Sequence, residues 1–192
     1  MSEQAANKFF GVLDMDGVFF DFITMANRAT GIPLHHSQVV DFHYYRPYMD
    51  WETYRHRILL EGQSFWSRLD RYAWGADLME VCESAFDEMC WLTDPGTWPD
   101  AMNGKMDCLI DHGYDDIPMI CAGAGGPKAV IARIPNAVLI DDRIENCEAF
   151  HAAGGSAILF PQPWNKNRWA IRKMGRVQFV QNELYLLMNQ KG

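Results

Sequence analysis

The chain has 192 residues, 48% of them hydrophobic and 22% charged, with a formal net charge of −8. These proportions suit one compact domain with a sizeable core and exclude a disordered chain. The acidic total argues against a nucleic-acid polymer as partner, since backbone phosphates call for clustered Lys and Arg.

The opening segment, MSEQAANKFFGVLDMDG, has no basic n-region and no long apolar stretch. No window anywhere reaches the ~18 apolar residues of a membrane span. Five cysteines (82, 90, 108, 121 and 147) are scattered and form no C-x-x-C pair, which reads as reduced, mostly buried thiols. A cytoplasmic protein without a membrane anchor is the expectation.

Short apolar runs at 9–13, 89–92, 118–121, 137–140 and 157–160 each read as a buried strand. Helical spacing separates several of them: Leu78, Val81, Cys82, Ala85 and Phe86 in one place, and Met102, Met106, Leu109 and Ile110 in another. Gly113 and the Gly154-Gly155 pair stop two helices as C-terminal caps. Residues 22–76 break this rhythm; they are rich in aromatics and His, with amphipathic pieces such as 51–60 but no buried strand. They read as a small helical cap. The final stretch, VQFVQNELYLLMNQKG, reads as a short strand and a closing helix. The fold class is therefore α/β: a doubly wound, mostly parallel sheet from 1–21 and 77–192, with the cap, 22–76, inserted after the first strand.

Ligands of open parallel sheets bind beyond the carboxyl ends of the strands. There the sequence places Asp14-Met15-Asp16-Gly17-Val18, then Thr93-Asp94-Pro95, then a glycine-rich turn ending in Lys128, then Asp141-Asp142. Hydrolysis of a phosphate monoester needs a nucleophile, a proton donor for the leaving oxygen, and positive charge against the phosphoryl oxygens. Asp14 suits the first role and Asp16 the second. Asp14 beside Asp141 and Asp142 without a counterion would be repulsive, and an oxygen-ligated Mg²⁺ removes the conflict. The six histidines show no metal-ligand spacing.

The ordered set D-x-D-G-V, strand-ending Thr, Lys and I-D-D resembles the four motifs of the haloacid-dehalogenase superfamily. More narrowly, LDMDGVFFDF, WLTDPGTWPDAMNGKMDCLIDHG and VLIDDRIENCEAFHAAGGSAILFPQPWN are similar to the 5'(3')-deoxyribonucleotidase branch. The matching blocks span 9–22 and about 88–165, and the insertion resembles that branch only in position and helical character.

The resemblance implies Asp14 as nucleophile and metal ligand, and Asp16 as acid/base whose backbone carbonyl also reaches the metal. It implies Thr93 on the phosphate, Asp142 as the direct acidic ligand, and Asp141 nearby or acting through water. Lys128 and Lys105 both stand where the family places lysine, and Lys128 is favoured for the phosphate. Phe22, with Phe65 and Trp66, is implied as the pocket for a nucleobase. The expected activity is Mg²⁺-dependent hydrolysis of a small phosphomonoester, a (deoxy)nucleoside monophosphate. A phosphatase for another metabolite such as a sugar phosphate, or a binding module that lost the chemistry, are the alternatives. The sequence leaves a homodimer open. Asp94 departs from the family pattern and would repel phosphate unless it turns away or caps the next helix.

Overall fold

Five strands carry the architecture of the computed structural model, which describes residues 8–123 and 128–190. In chain order these are β1 (Phe10–Leu13), β2 (Glu88–Thr93), β3 (Met119–Cys121), β4 (Ala137–Asp141) and β5 (Ser156–Leu159). They form one sheet of order β3-β2-β1-β4-β5, and every pairing is parallel. The central strands are apolar along their middles because both faces are covered. Val12, Cys90, Leu92 and Leu139 face a core with Phe150, while Leu13, Trp91, Val138 and Ile140 face the other side with Phe19 and Phe160. The doubly wound sheet expected from the alternating pattern is present.

Chain order runs outward from β1 to β2 and β3, then returns to the other side of β1 as β4. This reversal between β1 and β4 is the topological switch point where open sheets bind ligands. The register places Leu13 opposite Ile140, and Asp14 N donates to Ile140 O at 3.0 Å. Asp14 and Asp141 therefore emerge side by side at the same level.

Helices α1 (Phe22–Thr30), α2 (Trp51–Leu60) and α3 (Gln63–Ser67) follow β1 in the stretch expected to form the inserted cap, and α4 (Gly75–Ala85) leads back into β2. Asp21 caps α1 by accepting from Thr24 N at 2.9 Å and Thr24 Oγ1 at 2.7 Å. The chain leaves and re-enters along one seam, where Asp21 N donates to Asp70 O and Tyr72 N to Phe19 O, both at 2.9 Å. Helix α5 (Ala101–Asp111) joins β2 to β3, a 3₁₀ segment Lys128–Arg133 precedes β4, and α6 (Ile144–Ala152) joins β4 to β5. Helices α7 (Arg168–Lys173) and α8 (Arg176–Gln190) close the chain. No helix among the described residues is long and apolar enough to cross a membrane.

Two expectations are corrected. Residues 176–190 are helical from the outset, with no strand. The V-Q-F-V alternation imitates a strand, but Val180 and Leu184 lie one turn apart and both are buried as α8 packs on α4 and β5. In α5 the buried face is not the Met102, Met106, Leu109 and Ile110 set, of which Leu109 is buried and the other three are exposed. It is Ala101, Gly104, Lys105, Cys108 and Leu109, the i, i+3, i+4, i+7, i+8 set. A lysine on the inner face hid that face from a hydrophobic pattern. The glycine-rich turn expected before Lys128 falls on 124–127, outside the described residues.

Candidate active site

Beyond the carboxyl ends of β1, β2 and β4, seven polar side chains converge. Asp14, Thr93, Asp141, Asp142, Lys105 and Lys128 are all buried, and Asp16 is partly so. Lys128 Nζ lies 2.5 Å from Asp14 Oδ1 and 2.8 Å from Asp141 Oδ2. Lys105 Nζ donates to Thr93 Oγ1 at 2.6 Å and to Asp16 Oδ2. Lys128 thus bridges the carboxylates at the ends of β1 and β4, and Lys105 links Asp16 to the end of β2. Both candidate lysines reach polar residues of the site, and Lys128 lines the cavity above it.

The carboxylates differ in how they are held. Both oxygens of Asp141 are occupied: Arg143 N donates to Oδ1 at 2.8 Å, and Asn146 Nδ2 reaches Oδ1 at 3.1 Å and Oδ2 at 2.9 Å. Asp142 has the Trp164 indole N–H on Oδ2 at 2.7 Å. Asp16 Oδ1 is buried and has no hydrogen-bond partner among the described residues. Gly17 (φ 78°) brings bare backbone against Asp142; a Cβ there would stand 2.5 Å from Asp142 Oδ2. The turn after Asp16 therefore needs glycine both for its conformation and for the closeness of the two segments.

Burial raises the Asp14 pKa from 3.8 to about 7, with the charges of Asp141 and Asp16 adding to the rise and Lys128 opposing it. Burial, then Asp141 and Asp14, likewise push Asp142 well above the carboxylate range, against the Trp164 hydrogen bond. Burial alone would lower Lys128, but Asp14 and Asp141 outweigh it and hold the ammonium charged. One ammonium among three buried carboxylates leaves the group short of positive charge.

Asp14, Asp141 and Asp142 each bring an oxygen within 4.8 Å of the others. An all-oxygen donor set with uncompensated negative charge fits a hard divalent cation such as Mg²⁺. Asp16 stands apart from this trio, its carboxylate turned to Lys105.

The sign of the pKa shifts gives a prediction. Folded Asp14 and Asp142 hold protons at pH values where the unfolded chain has released them. Their contribution to metal-free stability is complete below the ordinary 3.8 and is lost as pH rises through about 7 for Asp14. Mg²⁺ should therefore raise the melting temperature more at about pH 7.5 than at about pH 5, because protons compete for the same oxygens. Thermal melts with Mg²⁺ or chelator check this, and an equal or larger shift at the lower pH contradicts it.

Above the carboxylates opens a cavity of about 640 Å³ with aromatic walls, among them Phe22, Tyr44, Trp51, Trp66, Trp98 and Trp164. Its floor includes Asp14, Asp16, Thr93, Lys128 and Asp142. Phe22 and Trp66 stand 5.7 Å apart, and Trp66 continues to Trp98 at 5.7 Å and Trp98 to Trp51 at 6.0 Å. Gly104 makes this wall possible: a Cβ there would meet Trp66 Cβ at 2.5 Å, so α3 can lie directly on α5. The same approach sets the Trp66 ring 5.1 Å from Lys105 Nζ.

Phe65 does not line the cavity. It is 1% exposed and packs edge-on behind Phe22 (5.5 Å) and Trp66 (4.8 Å), so it supports the wall rather than forming it. Asp94 turns back to accept from Gly96 N at 2.7 Å, tying the turn after β2. Asn165 donates to Asp142 O and Phe160 O at 2.9 and 2.8 Å. Trp164, Trp98, Asn146 and Arg143 escaped the sequence reading. Asn146 alone left a usable signal, one helical turn after Asp142.

No family model matches the chain, and no curated protein sequence is significantly similar to it. Solved structures do resemble it. A hydrolase from Streptococcus pneumoniae TIGR4 is 15% identical and superimposes with a TM-score of 0.54 over 81% of this chain and 94% of its own. A HAD family hydrolase from Deinococcus radiodurans R1, solved with bound phosphate and sodium, is 12% identical, with a TM-score of 0.54 over 86% and 88%. The L-2-haloacid dehalogenase from Xanthobacter autotrophicus is 15% identical, with a TM-score of 0.51 over 92% and 88%. The chain has a haloacid-dehalogenase-like α/β fold. At such identities the likeness is one of fold, and chemistry must be argued from the site.

Proposed function

We propose that this chain is a phosphomonoesterase that uses Asp14 as nucleophile on a nucleoside monophosphate. The observation that carries the reading is the pairing of that polar floor with an aromatic cavity directly above it. Asp14, at the switch point, attacks phosphorus to give an aspartyl-phosphate, and Asp16 protonates the leaving oxygen. In the second half, Asp16 takes a proton from the water that clears the intermediate. Thr93 and Lys105 bind phosphoryl oxygens, and Lys128 aims Asp14 and opposes its protonation. Asp14, Asp142 and, as a neighbouring support, Asp141 would hold Mg²⁺, which when bound supplies charge neutralisation at the phosphate.

The aromatic lining favours a nucleotide over a sugar phosphate. A sugar presents hydroxyls that need polar partners, whereas a base presents flat apolar faces suited to rings such as Phe22 and Trp66. A phosphate-release screen with Mg²⁺ over nucleoside monophosphates and sugar phosphates tests the proposal. Nucleotides should lead, and turnover should stop with a chelator and return with Mg²⁺. Preference for a sugar phosphate over every nucleotide would move the substrate assignment.

Phe22→Ala supplies a sharper contrast. Losing one stacked ring costs about 1–3 kcal/mol, so kcat/KM on a deoxynucleoside monophosphate should fall roughly ten- to a hundredfold. Turnover of a simple alkyl phosphate should barely change. Trp66→Ala should show the same nucleotide loss plus some loss on both substrates, because its ring also lies beside Lys105. Equal losses on both substrates in Phe22→Ala would contradict the base-pocket role.

A further inference from the structure

We propose a second anion subsite at the rim of the active-site cavity, formed by Arg143, Lys166 and Arg168, that takes a second phosphoryl-type dianion. The inference rests on the phosphatase reading and narrows its substrate class. A second cavity of about 610 Å³ adjoins the first and shares Phe42, Asp142, Arg143 and Trp164 with it. Three permanent cations line this cavity against two carboxylates, Asp142 and Glu145, on a chain whose formal charge is −8. Asp142 already belongs to the catalytic floor. Among the described residues Glu145 pairs only with Arg143, at 3.7 Å between two solvent-exposed side chains, which is a weak contact.

Lys166 and Arg168 form no ion pair among the described residues. Arg143 is held in place, its guanidinium 4.6 Å from the Phe42 ring centroid, so a cation of the core stacks on an aromatic of the cap. Arg143 is also the N-cap of α6, and its side chain makes no capping hydrogen bond; Ile144 and Glu145 of the first turn line the same cavity. An anion there would meet guanidinium, ammonium and the helix N-terminus together. The loop carrying Lys166 also carries Trp164 and Asn165, which hold Asp142, so the rim and the catalytic floor share one support. A second phosphate on the substrate itself is the occupant this shared wall favours, and a free phosphate or sulfate is the other source of the same chemistry.

The test uses the full chain with Mg²⁺ and the double variant Lys166→Ala/Arg168→Ala, whose two positions are exposed and outside the catalytic set. Wild-type KM should be roughly tenfold lower for a deoxynucleoside 3',5'-bisphosphate than for the 5'-monophosphate, the worth of partly solvated charge-assisted contacts. The variant should lose that gap while keeping its monophosphate kcat and KM. Calorimetric titration with inorganic phosphate separates the sources and needs no turnover. Phosphate binding that weakens in the variant, without any bisphosphate advantage in the wild type, assigns the subsite to a free anion. It also reads the subsite if no nucleotide is hydrolysed, when only the phosphatase reading fails. No bisphosphate advantage together with identical phosphate binding by wild type and variant overturns the subsite.

Discussion

Asp14→Asn is expected to reduce phosphate release below about a thousandth of wild type, because an amide oxygen is a poor nucleophile toward phosphorus. The fold should survive. Asn keeps an oxygen for Met15 N (2.9 Å in the wild type) and for Lys128, and it removes a buried carboxylate whose ionisation is opposed. Metal-free Asp14→Asn should melt no lower than wild type near neutral pH, which separates lost chemistry from lost structure. Retention of a tenth of the activity, with contaminating phosphatase excluded, would assign the nucleophile elsewhere.

Asp16→Asn should slow turnover by roughly 10²–10⁴-fold, the usual worth of general acid/base help. Its geometry supports a proton-transfer role: Oδ2 is anchored by Lys105, while Oδ1 is buried and has no hydrogen-bond partner among the described residues. The loss should depend on the leaving group. An activated ester such as p-nitrophenyl phosphate leaves without a proton and should lose less in its first step than an alkyl phosphate, which needs one. Steady-state kinetics on the two esters reads this, and equal losses would remove Asp16 from the leaving-group step.

The parts of the fold visible in the sequence are those set by continuous apolarity. Five short apolar strands announce themselves, the central ones buried on both faces, and the polar residues at their ends follow directly. Gly17 and the Asp pair are visible because they sit at those ends. What the sequence hides comes from contacts between elements distant in the chain. The inner face of α5 carries Lys105, so counting apolar positions selects the exposed Met102 and Met106 instead. Phe65 and Trp66 are adjacent and chemically alike, yet only the packing of α3 on α5 decides which ring faces the cavity. Trp164 holds Asp142 from 22 residues away through a loop without regular spacing. The helical C-terminus was obscured by a four-residue alternation too short to define a period.

The most direct test of Asp14 as nucleophile is acid-quenched single turnover with a ³²P-labelled deoxynucleoside monophosphate. The predicted result is covalent label on the peptide containing Asp14, released by hydroxylamine as an acyl phosphate is, and absent in Asp14→Asn. Label on a histidine or another carboxylate, or substrate fully hydrolysed at every quench time with no protein-bound phosphate, would contradict it.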